Sequence, residues 1–385
     1  MKPALVQGRP RTKLADSLAH GLLAVLLLAA AAARAEPYLA VRSGQKCMAC
    51  HVNPTGGGKR TEFGSVYGQT ALAQRQLDLS FLRSASAAGA ASDAAPWTGK
   101  ITDWFGLGID LRATQRTRKV PGSDRTSGLD PTRAQVYFEV QPLGDRLTLY
   151  VDEHVAPDTL KAREAFAMLW FAERSVYVKV GRMYVPFGLR IEDDTAFMRL
   201  FSGVNFNLSH DGVEGGLELG PWSAQLAVTN GGGSATHRGK LINALATYVQ
   251  PDWRLGLSVS HDASGAADRS MQSVFAGLRT GIVSWLASGV HIVDDDTPSG
   301  RVRRWASLVE GNIEVAQGHN LKLSYEFYDP NRKVREDQRV RYSAVWEFVP
   351  FQFTQFRLGA RKNQGIPQNN AQNASELFLQ WHAFF

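Results

Sequence analysis

Cysteine is nearly absent from this chain of 385 residues, which contains two cysteines in all. Both lie in the stretch Cys47-Met48-Ala49-Cys50-His51, so no disulfide framework holds the chain together. A structural zinc site would need two further ligands at a matching spacing, and no second Cys/His pair occurs. A thioredoxin-like redox motif would lie between a strand and a helix, a context that is missing here. A chance pair of thiols and a covalent attachment site remain as interpretations.

Long apolar runs are also scarce. After residue 35, no run reaches the length that a membrane-spanning helix requires. This scarcity does not exclude a membrane, because a transmembrane barrel has lipid-facing side chains only at every second residue. The formal net charge of +7 weakly favours anionic partners such as lipid head groups, small anions or an acidic redox protein. Because the basic residues are scattered and no recognition motif occurs, no nucleic-acid partner is expected.

The order Cys-x-x-Cys-His is typical of the attachment of a c-type haem. Two thiols at this spacing add to the two vinyl groups of the porphyrin, and the adjacent imidazole becomes the proximal iron ligand. We therefore predict one covalent haem c on Cys47 and Cys50, with His51 as the proximal ligand. Other residues of the segment are predicted to support it: Pro54 by orienting the imidazole, Lys59 and Arg60 by neutralising propionates, and Phe63 and Tyr67 by covering a face of the macrocycle.

A sixth iron ligand is missing from the segment around the motif. No methionine or histidine occurs between His51 and His154, and Met48 lies within the loop that the two thioether bonds close. The haem is therefore expected to be five-coordinate or to be capped by the rest of the protein. Among the other histidines, His382 is predicted to face the interior near the end where a tethered haem arrives, and it is the candidate distal ligand.

Four consecutive regions follow from the sequence. Residues 1–35 have a positive start, an apolar run from Gly21 to Ala33 and the cleavage site Ala33-Arg34-Ala35, which predict a secretory signal peptide. Residues 36–70 are the haem segment and 71–96 are a linker rich in small residues. Residues 97–385 alternate between apolar and polar side chains, as in Phe105, Leu107, Ile109 and Leu111, which is the strand pattern.

The breaks between these strands predict their topology. Seven short turns alternate with eight longer polar loops, so the alternating region is predicted to form about 16 antiparallel strands with both ends on one side. This is the layout of a transmembrane β-barrel, and a terminal strand that ends in Phe385 agrees with it. A soluble β-sandwich is the alternative, because its half-buried strands also alternate. Parity along the strands predicts which charged residues face the interior: Arg112, Arg116, Arg133, Arg146, Lys179, Lys322, Arg339 and Arg341, with Asp110, Glu139, Asp152, Glu214, Glu218, Glu326 and Glu347.

Two stretches carry a resemblance to a known family. GRMYVPFGL, residues 181–189, and DGVEGGLELGPWSAQLAVTNG, residues 211–231, resemble phosphate-selective porins of the outer membrane. The order of signal peptide, single Cys-x-x-Cys-His, linker and barrel resembles cytochrome–porin fusions that are proposed to oxidise extracellular Fe(II). The resemblance implies an outer-membrane location, with the haem segment in the periplasm or inside the barrel lumen. It also implies a metal-oxidising activity, which makes this chain a candidate Fe(II) oxidase.

These observations lead to two main hypotheses. In the first, one haem held in or at the mouth of the barrel carries electrons across the outer membrane between an extracellular metal ion or other redox partner and a periplasmic electron carrier. In the second, the barrel is an anion-permeable, phosphate-type porin whose haem segment senses redox state or carries electrons in the periplasm. A haem enzyme with an open iron site is a third hypothesis, for which the sequence supplies no acid–base constellation.

Outer-membrane lipid is expected to surround the barrel in each case, and a homotrimer is expected by analogy with porins of this size. Two acidic runs, Glu192-Asp193-Asp194 and Asp294-Asp295-Asp296, could gather Fe(II) with their oxygen ligands. The alternatives are that they are solvated loop charges or that they pair with a basic lumen wall.

Overall fold

The computed structural model describes residues 36–77, 96–157, 160–193, 195–204, 209–231, 239–263, 268–297 and 300–385. The predicted signal peptide and most of the predicted linker lie outside these residues. Strands dominate from residue 105 onwards, as the alternation of the sequence predicts. They are β1 (Phe105–Lys119), β2 (Arg125–Leu129), β3 (Arg133–Val140), β4 (Pro142–Asp145), β5 (Leu147–Ala156), β6 (Lys161–Phe171), β7 (Val176–Met183), β8 (His210–Leu219), β9 (Trp222–Thr229), β10 (Leu241–Val249), β11 (Trp253–Asp262), β12 (Arg269–Thr280), β13 (Val283–Thr297), β14 (Gly300–Ala316), β15 (His319–Asp329), β16 (Arg339–Phe348), β17 (Thr354–Gln364) and β18 (Ser375–Phe384).

Within the described residues, sixteen of these strands form one closed sheet. Each pairs antiparallel with its neighbour along the chain, and β18 returns to β1, where Asp110 lies opposite Phe384 and Lys119 opposite Ser375. The two remaining strands are short: β2 extends the hairpin between β1 and β3, and β4 lies in the turn between β3 and β5. The predicted antiparallel barrel of 16 strands is confirmed.

The two faces of the wall differ as a transmembrane barrel requires. On β11, Leu255, Leu257 and Val259 are 44%, 58% and 54% exposed, while Ser258 and Ser260, which point to the other face, are buried. Apolar side chains that point outward at every second position give the barrel a hydrocarbon-facing surface. The seven acidic residues that parity assigns to the interior are all buried.

The barrel has two unlike ends. The turn end carries the short connections, such as Gly220–Pro221, together with the beginning of β1 and the end of β18. The loop end carries the longer connections, such as the one that contains the short 3-10 helix Asn370–Asn373. This asymmetry is the one that the sequence predicts.

Residues 36–77, here called the lumen segment, lie inside the barrel towards the turn end. They form helices α1 (Pro37–Ser43), α2 (Cys47–Cys50) and α3 (Glu62–Thr70). Their side chains bond to inward-facing residues of the wall: Tyr38 donates to Glu347 over 2.9 Å, Arg42 to Asn320 over 2.8 Å and Lys46 to Glu218 over 3.0 Å. The backbone N–H of Gln74 donates to the Val349 carbonyl at the turn end over 2.9 Å. Part of the predicted linker, residues 71–77, therefore lies at the mouth of the barrel.

The longest connection, between β7 and β8, also enters the lumen with its described residues 184–193 and 195–204. Its helix α4 (Phe197–Ser202) contacts β13, β14 and β15. Phe187, Leu189 and Phe197 of this loop belong to one hydrophobic cluster with Tyr38 and Val41 of the lumen segment. The loop and the lumen segment therefore fill the interior together. None of the helices in the described residues is long and apolar enough to cross a membrane.

Candidate haem cleft and anion vestibule

The single helical turn α2 positions the two cysteines. Because Cys47 and Cys50 are three residues apart on a helix, their thiols project from the same face. The backbone N–H of His51 donates to the Cys47 carbonyl over 3.0 Å, and His51 itself is extended, with φ −125° and ψ 144°. The motif therefore presents two thiols and an imidazole to one side, and all three residues line a single cleft in the lumen.

The residues after His51 fold back on the motif. Gly56, Gly57 and Gly58 all have positive φ, and this turn returns the chain so that His51 and Arg60 form an antiparallel bridge. Thr61 then caps α3 by accepting a hydrogen bond from the Gly64 N–H over 3.1 Å. Helices α2 and α3 pack so closely that a Cβ on Gly64 would collide with the Cys50 carbonyl.

A Gly64→Ala substitution should therefore loosen the lumen segment. The added methyl group cannot be accommodated without moving α2 away from α3, which we expect to cost roughly 1–3 kcal/mol of local stability. Hydrogen exchange followed by mass spectrometry should show faster exchange across residues 47–64. Gly128→Ala is the matched control, since nothing lies within 4 Å of a Cβ added there. Equal exchange in the two variants would contradict the close packing of α2 on α3.

The far wall of the cleft comes from the barrel and the long loop. Its apolar part includes Leu189, Leu245 and Phe275, and its cations include Arg190 and Arg254. Arg190 donates to the Gly56 carbonyl over 2.7 Å, and Arg254 donates to the Gln45 carbonyl over 2.6 Å. These residues fit a haem by their chemistry, because apolar side chains suit the macrocycle and guanidinium groups suit its propionates. The free volume is about 90 Å³, so a macrocycle fits only when side chains such as these arginines move aside.

Cys47 is exposed and Cys50 is buried, and protein atoms lie close to both thiols. Burial raises the pKa of Cys47 and also that of Cys50. Both thiols therefore remain protonated at neutral pH, and a protonated thiol is a poor nucleophile.

The structure brings only some of the predicted supporting residues to the cleft. Pro54 lines it with the motif. The others lie elsewhere: Lys59 forms an ion pair with Glu139 at 2.8 Å, Arg60 lies over the Phe384 ring with its guanidinium carbon 5.4 Å from the centroid, and Phe63 is 46% exposed and stacks on Tyr67. The arginines beside the cleft are instead Arg190 and Arg254, which the sequence did not single out.

His382 faces the lumen, as parity predicts, and is 1% exposed. Its Nδ1 lies 3.0 Å from Gln355 Oε1 and its Nε2 lies 3.2 Å from Asp110 Oδ2. It does not line the cleft that holds His51. Its role as a distal ligand therefore stays a prediction. Apart from His51, no histidine or methionine is found among the described residues that line the cleft.

A second and larger cavity, here called the vestibule, lies towards the loop end. Its volume is about 700 Å³. The described residues that line it include seven cations against three carboxylates: Arg112, Arg116, Arg133, Lys161, Arg163, Arg357 and Arg361, with Asp130, Glu192 and Asp193. Arg133 and Lys161, towards the loop end, are exposed to solvent. Glu192 lines both the vestibule and the cleft, so the two spaces are neighbours.

The two acidic runs pair with basic residues in the structure. Glu192 forms ion pairs with Arg112 and, at 3.0 Å, with Arg357. Asp193 pairs with Arg361 at 2.5 Å and with Arg341 at 3.3 Å. Although burial alone would raise the pKa of Asp193, these two guanidinium groups lower it well below its usual range, so the carboxylate stays ionised.

The second run behaves in the same way. Asp294 pairs with Arg269 at 2.6 Å and with Arg304 at 2.9 Å, and Asp295 pairs with Arg301 at 3.0 Å. Asp194 and the side chain of Asp296 lie outside the described residues. In the part of the chain that the structure describes, no cluster of three or more His, Cys, Asp or Glu side chains is arranged to hold a metal ion.

Comparison with solved structures identifies the fold. The chain superposes on the anion-selective porin from Comamonas acidovorans with a TM-score of 0.57 at 12% identity, covering 73% of this chain and 99% of the porin. The fold is that of a porin. OprB of Pseudomonas putida gives a TM-score of 0.58 at 9% identity, covering 74% of this chain and 94% of OprB. In-vitro folded OmpT of Vibrio cholerae gives 0.57 at 13% identity, covering 74% of this chain and 98% of OmpT. No protein-family model and no curated protein matches the sequence.

Proposed function

We propose that this chain is an outer-membrane electron conduit, in which one covalent haem c is held inside a porin-type barrel. The observation that carries the proposal is the position of the Cys-x-x-Cys-His motif, which lies within the lumen and faces a cleft next to the vestibule. A hydrocarbon layer about 30 Å thick separates the two sides of a membrane and carries no electrons unaided. When bound, the haem would supply a one-electron carrier within that layer.

The residues of the chain would perform three tasks in such a conduit. Cys47 and Cys50 would hold the macrocycle by thioether bonds, and His51 would orient it through the iron. Arg190 and Arg254 would bind the propionates, while Leu189, Leu245 and Phe275 would exclude water from the macrocycle. The ion pairs of Lys46 with Glu218 and of Lys59 with Glu139 would fix the lumen segment in place. Outer-membrane lipid would surround the barrel, with the turn end and a periplasmic electron carrier on the inner side.

An anion-permeable porin is the second candidate, and the basic vestibule favours it. The comparisons on their own favour this candidate over a conduit, because the relatives in fold are porins and one is described as anion-selective. A structure of OmpT is described as a trimer form, and a homotrimer of this chain is proposed by analogy. The two candidates differ in one property: a porin needs an open passage through the lumen, whereas a conduit needs the lumen segment to remain there.

The conduit and the porin are distinguished with purified protein in liposomes that enclose a membrane-impermeant redox dye. An external reductant is added while the haem Soret band and the dye are followed together. A conduit is expected to give haem reduction followed by reduction of the enclosed dye, without leakage of small anions. An oxidised dye together with rapid anion leakage would overturn the conduit and leave the porin.

A further inference from the structure

We propose that the outward face of the barrel wall binds a membrane lipid with an anionic phosphate head group. The acyl chains of the lipid lie in an apolar groove that crosses the wall from β13 to β18, and the phosphate binds cations at the loop end of that groove. The groove lies on the opposite side of the wall from the cleft and the vestibule. The site is therefore independent of the haem and of the electron-transfer function.

The groove has a volume of about 770 Å³. Small outward-facing residues line it: Gly311 lies opposite Leu323, Leu323 opposite Ala344, and Ala344 opposite Ala360, so these four residues form one row across β14 to β17. Three of the four have little or no side chain, which lowers the surface along the row. Because outward side chains of a transmembrane barrel face hydrocarbon, an acyl chain is the natural occupant of such a depression.

Two tyrosines border the groove on the side of the loop end. Tyr325 and Tyr342 are exposed on the outward face, and their ring centroids lie 5.4 Å apart. Outward tyrosines are typical of the girdle between the hydrocarbon and the polar head groups of a membrane. This side of the groove is therefore expected to lie at the depth of the head groups.

The strand row of these tyrosines continues into three cations. Tyr342 lies opposite Lys362, Lys362 opposite Ser375, Ser375 opposite Lys119, and Lys119 opposite Arg125. Residues that lie opposite each other in a sheet point to the same face, so the three cations share the outward face with the tyrosine. All three are exposed, and Lys362 Nζ donates to Ser375 Oγ over 3.2 Å.

These cations differ from the arginines of the lumen because, in the described part of the chain, none of the three forms an ion pair with a carboxylate. Lys119 Nζ donates to the Ser123 carbonyl over 2.5 Å. Glu376 points to the other face of the wall, where it pairs with Arg116 at 3.1 Å. Asp124, in the turn before β2, pairs with none of the three. Their charge is therefore available to an anionic head group at the end of the apolar groove.

The spacing of the two lysines suits a single phosphate. Lys119 and Lys362 lie two strands apart, on either side of Ser375, so their Cα atoms are separated by roughly 10 Å. Two long side chains can converge on one phosphate over that distance, and the hydroxyl of Ser375 is a further donor between them. Free phosphate would leave the groove empty, and a second copy of this chain would have to bring its own carboxylates. A lipid matches both the apolar and the cationic part of the site.

The site is tested by native mass spectrometry on full-length protein that has been purified in detergent and stripped of lipid. The probes are phosphatidylglycerol, phosphatidylcholine with the same acyl chains, and inorganic phosphate. We expect phosphatidylglycerol to bind, phosphatidylcholine to bind about fivefold more weakly, and inorganic phosphate to give no adduct, since binding needs both a net negative head and an acyl chain.

Two double variants separate the contributions of charge and groove. Lys119→Gln with Lys362→Gln should weaken the binding of phosphatidylglycerol by about tenfold. Its control is Lys240→Gln with Lys333→Gln, which removes the same charge from exposed positions of the loop end outside the row.

Ala344→Phe with Ala360→Phe fills the groove and should weaken binding to a similar extent without any change of charge. Its control is Ala224→Phe with Ala246→Phe, a pair that also lies directly opposite across two strands but away from the groove.

Three results would overturn the proposal. The first is equal weakening in a test variant and its control, which would show that the lipid is held by general charge or general hydrophobicity. The second is binding of inorganic phosphate as tight as that of phosphatidylglycerol. The third is a lipid-free oligomer that dissociates when Ala344 and Ala360 are replaced, because the groove would then be covered by another copy of the chain.

Discussion

Replacement of both cysteines, Cys47→Ser with Cys50→Ser, is expected to abolish covalent haem while the barrel still folds. The chain has no other cysteine, so no other residue can form a thioether bond. Both side chains lie on α2 within the lumen segment, whereas the barrel is closed by β1 and β18 without any contribution from α2. Intact mass and the haem absorbance that survives acidic acetone extraction measure the loss.

Met48→Leu is the matched control for this pair, because it changes a side chain between the two cysteines without removing a thiol. It should keep the haem content of the wild-type protein. The heat-dependent shift in gel mobility that is typical of folded barrels would report folding in all three proteins. Wild-type protein without covalent haem, or a double serine variant that retains it, would contradict the assignment of the motif.

Deletion of residues 37–77 is expected to open a passage through the lumen of the barrel. The lumen segment fills the interior near the turn end, where Lys46 and Lys59 form ion pairs with the wall residues Glu218 and Glu139. A barrel of 16 strands is wide enough for an aqueous channel when nothing occupies it. Conductance in planar bilayers should therefore rise by about an order of magnitude or more.

A shorter deletion, residues 332–336, serves as the control because these residues lie in an exposed connection at the loop end. It should leave the conductance of the full chain unchanged. Full-length protein that conducts as well as the variant lacking residues 37–77 would show that the lumen segment does not obstruct the pore. That result would favour the anion-permeable porin.

The barrel could be predicted because the alternation of side chains along a strand is a local property of the sequence. Inward and outward side chains alternate along each strand, so parity alone assigned Asp110, Glu214 and Glu347 to the interior, where they are at most 1% exposed. The short turns and longer loops predicted the number of strands, because each of them is also recognised from a local stretch of sequence. The pair Gly106 and Gly108 lies on β1. Its lack of side chains leaves room for Lys59, whose Cε would lie 2.8 Å from a Cβ on Gly106.

The cleft was only half predictable. The motif supplies one wall because its residues are adjacent in sequence, but the other wall combines Leu189 and Arg190 of the long loop with Arg254 and Phe275 of two strands. Such a set depends on the register of the sheet and on how the loop folds inward, neither of which a local pattern specifies. The turn at Gly56–Gly58 and the bridge between His51 and Arg60 also place Lys59 against Glu139, which no spacing rule anticipates.

The most direct test of the central claim is an electron cryomicroscopy or crystal structure of holoprotein purified from the outer membrane. The account predicts porphyrin density joined to Cys47 and Cys50 inside the barrel, in the cleft bounded by Leu189, Arg190, Arg254 and Phe275. Density for a haem segment outside an empty lumen, or a lumen segment without porphyrin, would contradict it.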